Sequence, residues 1–359
     1  MSERRAARVL AIQPASPATV ISQETLFFDF YQRLYRDIPD AEKLFTATGV
    51  RQRHVAWDPR QHFADGYPGM TERMNAWEEG VLAMGREGLT GVLAGVDRDR
   101  IGSFTMCSCT GYAGPTPEMV LAKEFGLRPD LRRTFVGHMG CYAAFNTIKV
   151  ALDSLSARPE DLALVTCAEV CSVHLRPELT KEQVVVNGLF ADAGVTMLLA
   201  AVDPDDVPAA GGPSAAPTIL ATHTETHYDT SAAMTWRVLD DAFRMTLSPF
   251  VPLYLSEVIE SFVDRLLAPA GLTRDDIAHW GVHPGGPKII DLVGERLRLT
   301  TDQLTPSWEI LAGHGNCSSP TILLILDWIM RNSAPRSGEY GVLMAFGPGL
   351  TMESALIRF

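Results

Sequence analysis

Three things are scarce in this 359-residue sequence. No apolar run approaches the ~20 residues that cross a bilayer, so no membrane-spanning helix is expected. Basic residues are outnumbered: 31 Lys and Arg against 43 Asp and Glu leave a formal charge of −12. That balance argues against a nucleic-acid partner, while leaving room for an anionic small molecule held by a few local groups. Cysteines are few and scattered: Cys107, Cys109, Cys141, Cys167, Cys171 and Cys317 show no paired zinc spacing. The opening stretch MSERRAARVLAIQPASPAT lacks an apolar region of signal-peptide length, so no export signal or disulfide framework is expected. A reducing, cytoplasmic compartment follows as the expectation. HTETH at 223–227 places two histidines four apart, but its threonines favour a strand or loop over the helix that half a metal site would use. No metal is expected.

What is present is the alternation of an α/β chain. RVLAI (8–12) reads as a first buried strand. Residues 20–46 carry an aromatic-rich helical pattern, and 71–96 a second helix. Strands are expected at 101–111, 135–137, 161–169 and 193–202, with a helix over 115–125 and another from Cys141. DPDDVPAAGGPSAAPT (203–218) reads as a surface linker. The pattern then restarts: a strand at 218–226, a helix at 252–268, a strand ending in a Gly/Pro turn at 280–287, helices at 289–297 and 321–330, and strands at 340–346 and the C-terminus. GHMGC (137–141) is echoed by GHGNC (313–317), and the turn CTGYAGP (109–115) by HPGGP (283–287). The order of elements agrees too, which predicts two α/β halves, 1–202 and 219–359, about a pseudo-twofold axis. Equivalent turns would then face each other and bring Cys141, His283 and Asn316 together.

Cys141 follows a glycine and opens a helix whose Phe145, Ile148, Leu152 and Leu155 share one face. Free N–H groups and the helix dipole at such a position favour thiolate, the nucleophilic form. The plainer alternative is a buried structural cysteine. Beside an imidazole from His283, the thiolate would be activated; with the Asn316 amide, two donors would face a developing oxyanion. That set suits acyl transfer through a thioester and equally the loss of CO₂ from a malonyl thioester. His283 is otherwise a turn residue bonded to backbone, Asn316 a residue chosen for left-handed geometry, and Gly285–Gly286 a plain tight turn.

The Cys141 segment, WGVHPGGPKI (280–289), GNCSS (315–319) and FGPGLTME (346–353) together resemble the type III polyketide synthases, the chalcone synthase-like enzymes of the thiolase superfamily. Ala345 replaces the first glycine of that family's C-terminal signature. The resemblance implies a homodimer with a thiolase-like five-layered αβαβα fold. It implies Cys141 as acyl-carrying nucleophile with His283 and Asn316 as its partners. Starter acyl-CoA and malonyl-CoA would be substrates, without cofactor or carrier protein, for iterative decarboxylative condensation and cyclisation. LFADA (189–193) places Phe190 as the aromatic that guides malonyl-CoA, a residue that otherwise packs in the core. Cys109, Cys171 and His174 stand where plant members carry threonines. Met245 replaces a gatekeeper phenylalanine, Trp236 falls where a glycine sets cavity length, and Ser318 completes the implied pocket. Lys43, Arg51, Gly285 and Gly286 are the implied coenzyme A contacts. Arg53 lies nearby, and the plainer reading of the charges at 51–53 is a solvated surface. Gly114 replaces a methionine that reaches the partner's cavity. The alternatives are a thiolase-fold enzyme performing one condensation, an acyltransferase without condensation, and a non-catalytic scaffold.

Overall fold

A computed structural model describes residues 6–63, 66–176, 178–203 and 216–359. Its strands in chain order are β1 (Ala6–Ala15), β2 (Thr19–Ser22), β3 (Gln52–Val55), β4 (Ile101–Ser108), β5 (Arg132–Gly137), β6 (Leu162–Val170), β7 (Asp192–Val202), β8 (Thr218–Thr226), β9 (Met234–Val238), β10 (Phe243–Leu247), β11 (Ile277–Val282), β12 (Tyr340–Gly347) and β13 (Thr351–Arg358). Nine form one sheet in the order β11-β12-β13-β8-β1-β7-β6-β4-β5. In the first half β1 is antiparallel to β7, β7 to β6, and β6 parallel to β4. In the second half β8 is antiparallel to β13, β13 to β12, and β12 parallel to β11. This repeated succession is the duplication expected from sequence, with β5 an extra edge strand. The halves meet at a short junction, Ala7 opposite Ile219 and Arg8 opposite Thr218.

Period-two alternation assigns side chains to layers. On β6, Ala163, Val165 and Cys167 enter a central core, while Leu162, Leu164, Ala168 and Val170 enter an outer one. On β12, Leu343 and Ala345 face the same central core, and Val342, Met344 and Phe346 the opposite outer one. Two helices fill the centre, Ala143–Ala157 with Phe145 and Ile148, and Thr321–Asn332 with Ile322, Ile325 and Ile329. Each such fully buried side chain contributes roughly 1.5–3 kcal/mol. Helix Met70–Val92 covers the first half-sheet through Trp77, Val81 and Met84. Gly88 lets it approach, since a Cβ there would collide with Thr196. Helix Val251–Leu267 covers the second half-sheet through Leu255, Ile259 and Phe262. Helix, half-sheet, helix pair, half-sheet, helix: these are the five layers.

Several elements differ from the sequence reading. Residues 20–46 are not one helix. They comprise β2, a helical stretch beginning at Gln23 with a π-turn over Phe27–Tyr31, and a separate helix Ala41–Thr46 after Pro39 and the left-handed Asp40. Helix Thr301–His314 has no counterpart in the sequence reading, because Pro306 inside it looks like a breaker. It is opened by reciprocal caps between Thr300 and Gln303. The β9–β10 hairpin is also new, with Met245 opposite Trp236. Of the expected linker, 204–215 lie outside the described residues, and Thr218 belongs to β8. Among the described residues no helix is long and apolar enough to cross a membrane.

Candidate active site

The GHMGC segment leaves β5 and turns into helix Ala143–Ala157. His138 and Gly140 adopt positive φ, 59° and 86°. A Cβ at Gly140 would sit 2.5 Å from Pro348 Cδ, and one at Gly347 would sit 2.7 Å from Tyr142. Glycine at both places lets the GPGL turn of the second half close on the Cys141 turn of the first. Cys141 is buried, 4% exposed. Its Sγ lies 3.9 Å from Asn316 Oδ1 and 4.0 Å from Nδ2. The Ser318 N–H donates to Asn316 Oδ1 at 2.8 Å, which orients the amide and leaves Nδ2 as the free donor beside the sulfur. Asn316 does not have positive φ; Gly315 and Ser318, at 74° and 59°, take the left-handed geometry. Left-handed tolerance therefore does not explain this asparagine.

Asn316 is paired with the stretch that carries Phe190. Its N–H donates to Leu189 O and its carbonyl accepts from Ala191 N, both at 2.9 Å. His283 follows β11, and its backbone N–H donates to Met344 O at 2.9 Å. Its ring is wholly buried, and neither nitrogen has a hydrogen-bond partner among the described residues. A turn residue bonded to backbone through its ring is not what is found, since both ring nitrogens are unpartnered among the described residues. Burial pushes the His283 imidazole down to about 3 and the Cys141 thiol up to about 12. Ser318 and Asn316 hydrogen bonds pull the thiol back only in part. Cys141 sits before the first helical residue, and burial outweighs the helix-end effect expected from sequence. Each group alone is neutral.

Cys109, Cys171, His174, Phe190, Trp236, Met245 and Ser318 line one narrow cavity with Gly140. Phe243, Gln183 and Asn187 are further walls that the sequence reading missed. The Gly140 N–H donates to Cys109 Sγ at 2.9 Å, and Trp236 Nε1 donates to Cys109 O at 2.7 Å. His174 is bonded at both nitrogens, through Nε2 to Thr110 O at 2.6 Å and through Nδ1 from the Phe243 N–H at 3.1 Å. It stacks on Phe243 at 4.2 Å, and burial pushes it down to about 3. It is a neutral tie between hairpin and wall. Glu169 was also missed, being one charge in the apolar run LALVTCAEV. It is buried and accepts from Cys109 N, Ser108 Oγ, Thr110 Oγ1 and Ser319 Oγ at 2.6–3.1 Å.

The expected coenzyme A residues lie on separate elements. Lys43 is exposed on helix Ala41–Thr46, and Arg51 is exposed 3.3 Å from Glu309. Gly285 and Gly286 lead into helix Pro287–Leu297, Gly286 at φ 136°. Arg53 corrects the solvated-surface reading of 51–53: it is 1% exposed and bonded to main-chain carbonyls. The first four residues of HTETH lie on β8 and His227 just beyond it; there Glu225 pairs with Arg265 and accepts from His223 Nε2 at 2.7 Å. Among the described residues no cluster could hold a metal ion. The structure brings together a buried Cys141 thiol and an oriented Asn316 amide beside it, and buries the His283 imidazole with both ring nitrogens unpartnered among the described residues.

The sequence matches the family descriptions "Chalcone and stilbene synthases, N-terminal domain" over residues 1–204 and "C-terminal domain" over residues 220–359. A 1,3,6,8-tetrahydroxynaphthalene synthase of Streptomyces peucetius subsp. caesius is 33% identical over 320 residues, 88% of this chain and 83% of that protein. A 3,5-dihydroxyphenylacetyl-CoA synthase of Streptomyces toyocaensis is 34% identical over 282 residues, 77% and 72% of the two. The crystal structure of PKS-I from the brown alga Ectocarpus siliculosus matches with a TM-score of 0.89 and 25% identity over the whole of both chains. The thiolase-like fold is common to these structures and to this chain.

Proposed function

Because the chain belongs to the chalcone and stilbene synthase family and is a type III polyketide synthase, we propose that Cys141, His283 and Asn316 carry its reaction. His283 accepts the Cys141 proton, and the thiolate attacks the carbonyl of a starter acyl-CoA. The tetrahedral intermediate collapses, coenzyme A leaves as its thiol, and the acyl group rests on Sγ. Malonyl-CoA then loses CO₂, and its thioester oxygen takes the negative charge of the enolate. Asn316 Nδ2 and a protonated His283 nitrogen stabilise that oxygen. The enolate carbon attacks the acyl thioester, Cys141 departs as thiolate, and the extended chain stays on coenzyme A for another cycle or for ring closure. No resident cofactor is needed.

The observation that carries this reading is an oriented Asn316 amide 4.0 Å from the Cys141 sulfur, supported by a buried His283 imidazole whose ring nitrogens have no hydrogen-bond partner among the described residues. Phe190 guides malonyl-CoA, and the other cavity walls shape the growing chain. Lys43, Arg51 and the Gly285–Gly286 turn contact coenzyme A. The enzyme works as a cytoplasmic homodimer, its two halves being 1–202 and 219–359. The test is incubation with malonyl-CoA, alone and with a panel of acyl-CoA starters, followed by CO₂ and product mass. CO₂ release with products growing in two-carbon steps is expected; acyl exchange without CO₂ would make it a plain acyltransferase.

A further inference from the structure

Arg53 is a charge that the reaction above does not use, and it is spent entirely inside the protein. Its Nη1 donates to Asn187 O at 2.9 Å and to Phe190 O at 2.7 Å. Its Nη2 donates to Gly188 O at 2.6 Å and also to Gln23 Oε1. Gln23 Nε2 reinforces the same turn at Gly188 O, 2.8 Å away. Three carbonyls at the end of helix Lys181–Leu189 are thus gathered on one guanidinium.

Those carbonyls belong to the turn whose next bonds hold Asn316. Leu189 O accepts from the Asn316 N–H, and the Ala191 N–H donates to Asn316 O. The segment bearing Arg53 is tied to the same assembly at two more points. The Arg51 N–H donates to Ala312 O at 2.9 Å, near the end of the helix that leads to Asn316. The Ala56 N–H donates to Asp192 Oδ2 at 2.6 Å, just beyond Phe190. One short stretch, 51–56, therefore stitches Phe190 and Asn316 into a single unit from behind. Cys141 is held separately, by helix Ala143–Ala157 and the Gly347–Pro348 turn, and none of Arg53's acceptors lies there.

We propose that Arg53 is a positioning residue for the decarboxylating half of the reaction: it registers Phe190 and the Asn316 amide together against the nucleophile, without touching substrate. This rests on the roles given above to Cys141 and Asn316. Loading of Cys141 depends on one element and enolate stabilisation on the other, so the two half-reactions respond differently to Arg53. A displacement of about 1 Å at a positioned donor is worth up to ~100-fold in rate.

The test uses full-length Arg53→Lys and Arg53→Gln, each with two readouts. Acylation of Cys141 by acetyl-CoA is followed by intact mass, and CO₂ release is followed from carboxyl-labelled malonyl-CoA. In Arg53→Lys, which keeps the charge and can reach part of the carbonyl set, the ratio of CO₂ release to acylation falls about 10-fold; in Arg53→Gln it falls further. If Arg53→Gln does not fold, the Arg53→Lys ratio decides. Equal losses in both readouts, or no loss in either, would reduce Arg53 to a structural tie and overturn the inference. Absence of both signals from the unmodified protein would overturn the functional reading and this inference with it.

Discussion

Removing the His283 ring separates the sulfur from the base that is proposed to activate it. Burial takes the Cys141 thiol from its ordinary value of 9.0 to about 12, roughly 4 kcal/mol against the charged form. At that value about one sulfur in 10⁵ is ionised at pH 7. In the proposed mechanism the thiol proton passes to His283, and the resulting charges stabilise one another. We therefore expect iodoacetamide to alkylate Cys141 in the unmodified enzyme at a rate nearly flat between pH 7 and 9. In His283→Ala the rate at pH 7 falls at least ~100-fold and climbs about tenfold per pH unit toward pH 10, because a raised thiol pKa leaves thiolate only on the alkaline side. Cys109, Cys171 and Cys317 are also buried and pushed well up, so labelling near neutrality reports on Cys141; mass mapping and a Cys141→Ala control check this. The same variant should fold. It deletes a ring whose two nitrogens are buried without partners among the described residues, and relief of that desolvation offsets part of the cavity left behind, for a net change of about 1–2 kcal/mol. Alkylation of His283→Ala at pH 7 as fast as in the unmodified enzyme would refute the reasoning.

Asn316→Ala should keep acylation of Cys141 by acyl-CoA but lose about 10²–10³-fold in CO₂ release from malonyl-CoA; equal loss in both assays would remove Asn316 from enolate stabilisation. Trp236→Gly opens the cavity wall that the indole closes and removes its bond to Cys109 O. Products should lengthen by one or more two-carbon units, at roughly 1–3 kcal/mol in stability; an unchanged product mass spectrum would show that Trp236 does not set chain length. His174→Ala leaves Thr110 O and the Phe243 N–H without their partner, for about 1–3 kcal/mol measured by chemical denaturation. Since the native ring is pushed down to about 3, unmodified stability falls as pH drops below about 6.5, where the unfolded chain takes up the proton first. His174→Ala should remove its share of that fall, leaving the shares of His283 and His314, without moving the pH–rate profile between pH 6 and 8.

Much of this was legible because the chain's strands are buried on both faces. LALVTCAEV and YGVLMAF are near-continuous apolar runs that have few readings other than central strands, and both lie where expected. The paired GHxxC segments gave the duplication. What stayed hidden has a physical pattern. Helix Thr301–His314 carries a proline in its second turn, which single-sequence reasoning treats as a stop. The β9–β10 hairpin has five-residue strands with a mixed polar pattern, too short for periodicity to speak. Arg53 reads as one more surface cation beside Arg51, because nothing local shows that four acceptors from distant segments will converge on it. Glu169 is similar: its burial is stabilised by Ser108, Cys109, Thr110 and Ser319, which only the fold brings around it. A single charged letter does not disclose whether tertiary structure supplies it with water or with partners.

Duplication also explains how the chemistry came to be divided between the halves. Each half carries a Gly-His-x-x-Cys turn leading into a central helix, yet the two turns do opposite things. In the first, the residue before cysteine is Gly140, where any side chain would strike Pro348, and the sulfur is the proposed nucleophile. In the second, the equivalent residue is Asn316, whose amide reaches the first half's sulfur. Its own cysteine, Cys317, is wholly buried, with Sγ 3.4 Å from His314 O and its N–H bonded to Thr321 Oγ1. The histidines diverge too: His138 bonds Trp236 O at 2.8 Å, while His314 stacks on His54 with ring centres 5.4 Å apart. Glycine at 140 lets the Pro348 turn of the second half close on the Cys141 turn of the first, and the thiol and the amide beside it come from different copies. Introducing a side chain at Gly140 should therefore push the Pro348 turn away from the Cys141 turn, and abolish CO₂ release before it unfolds the enzyme.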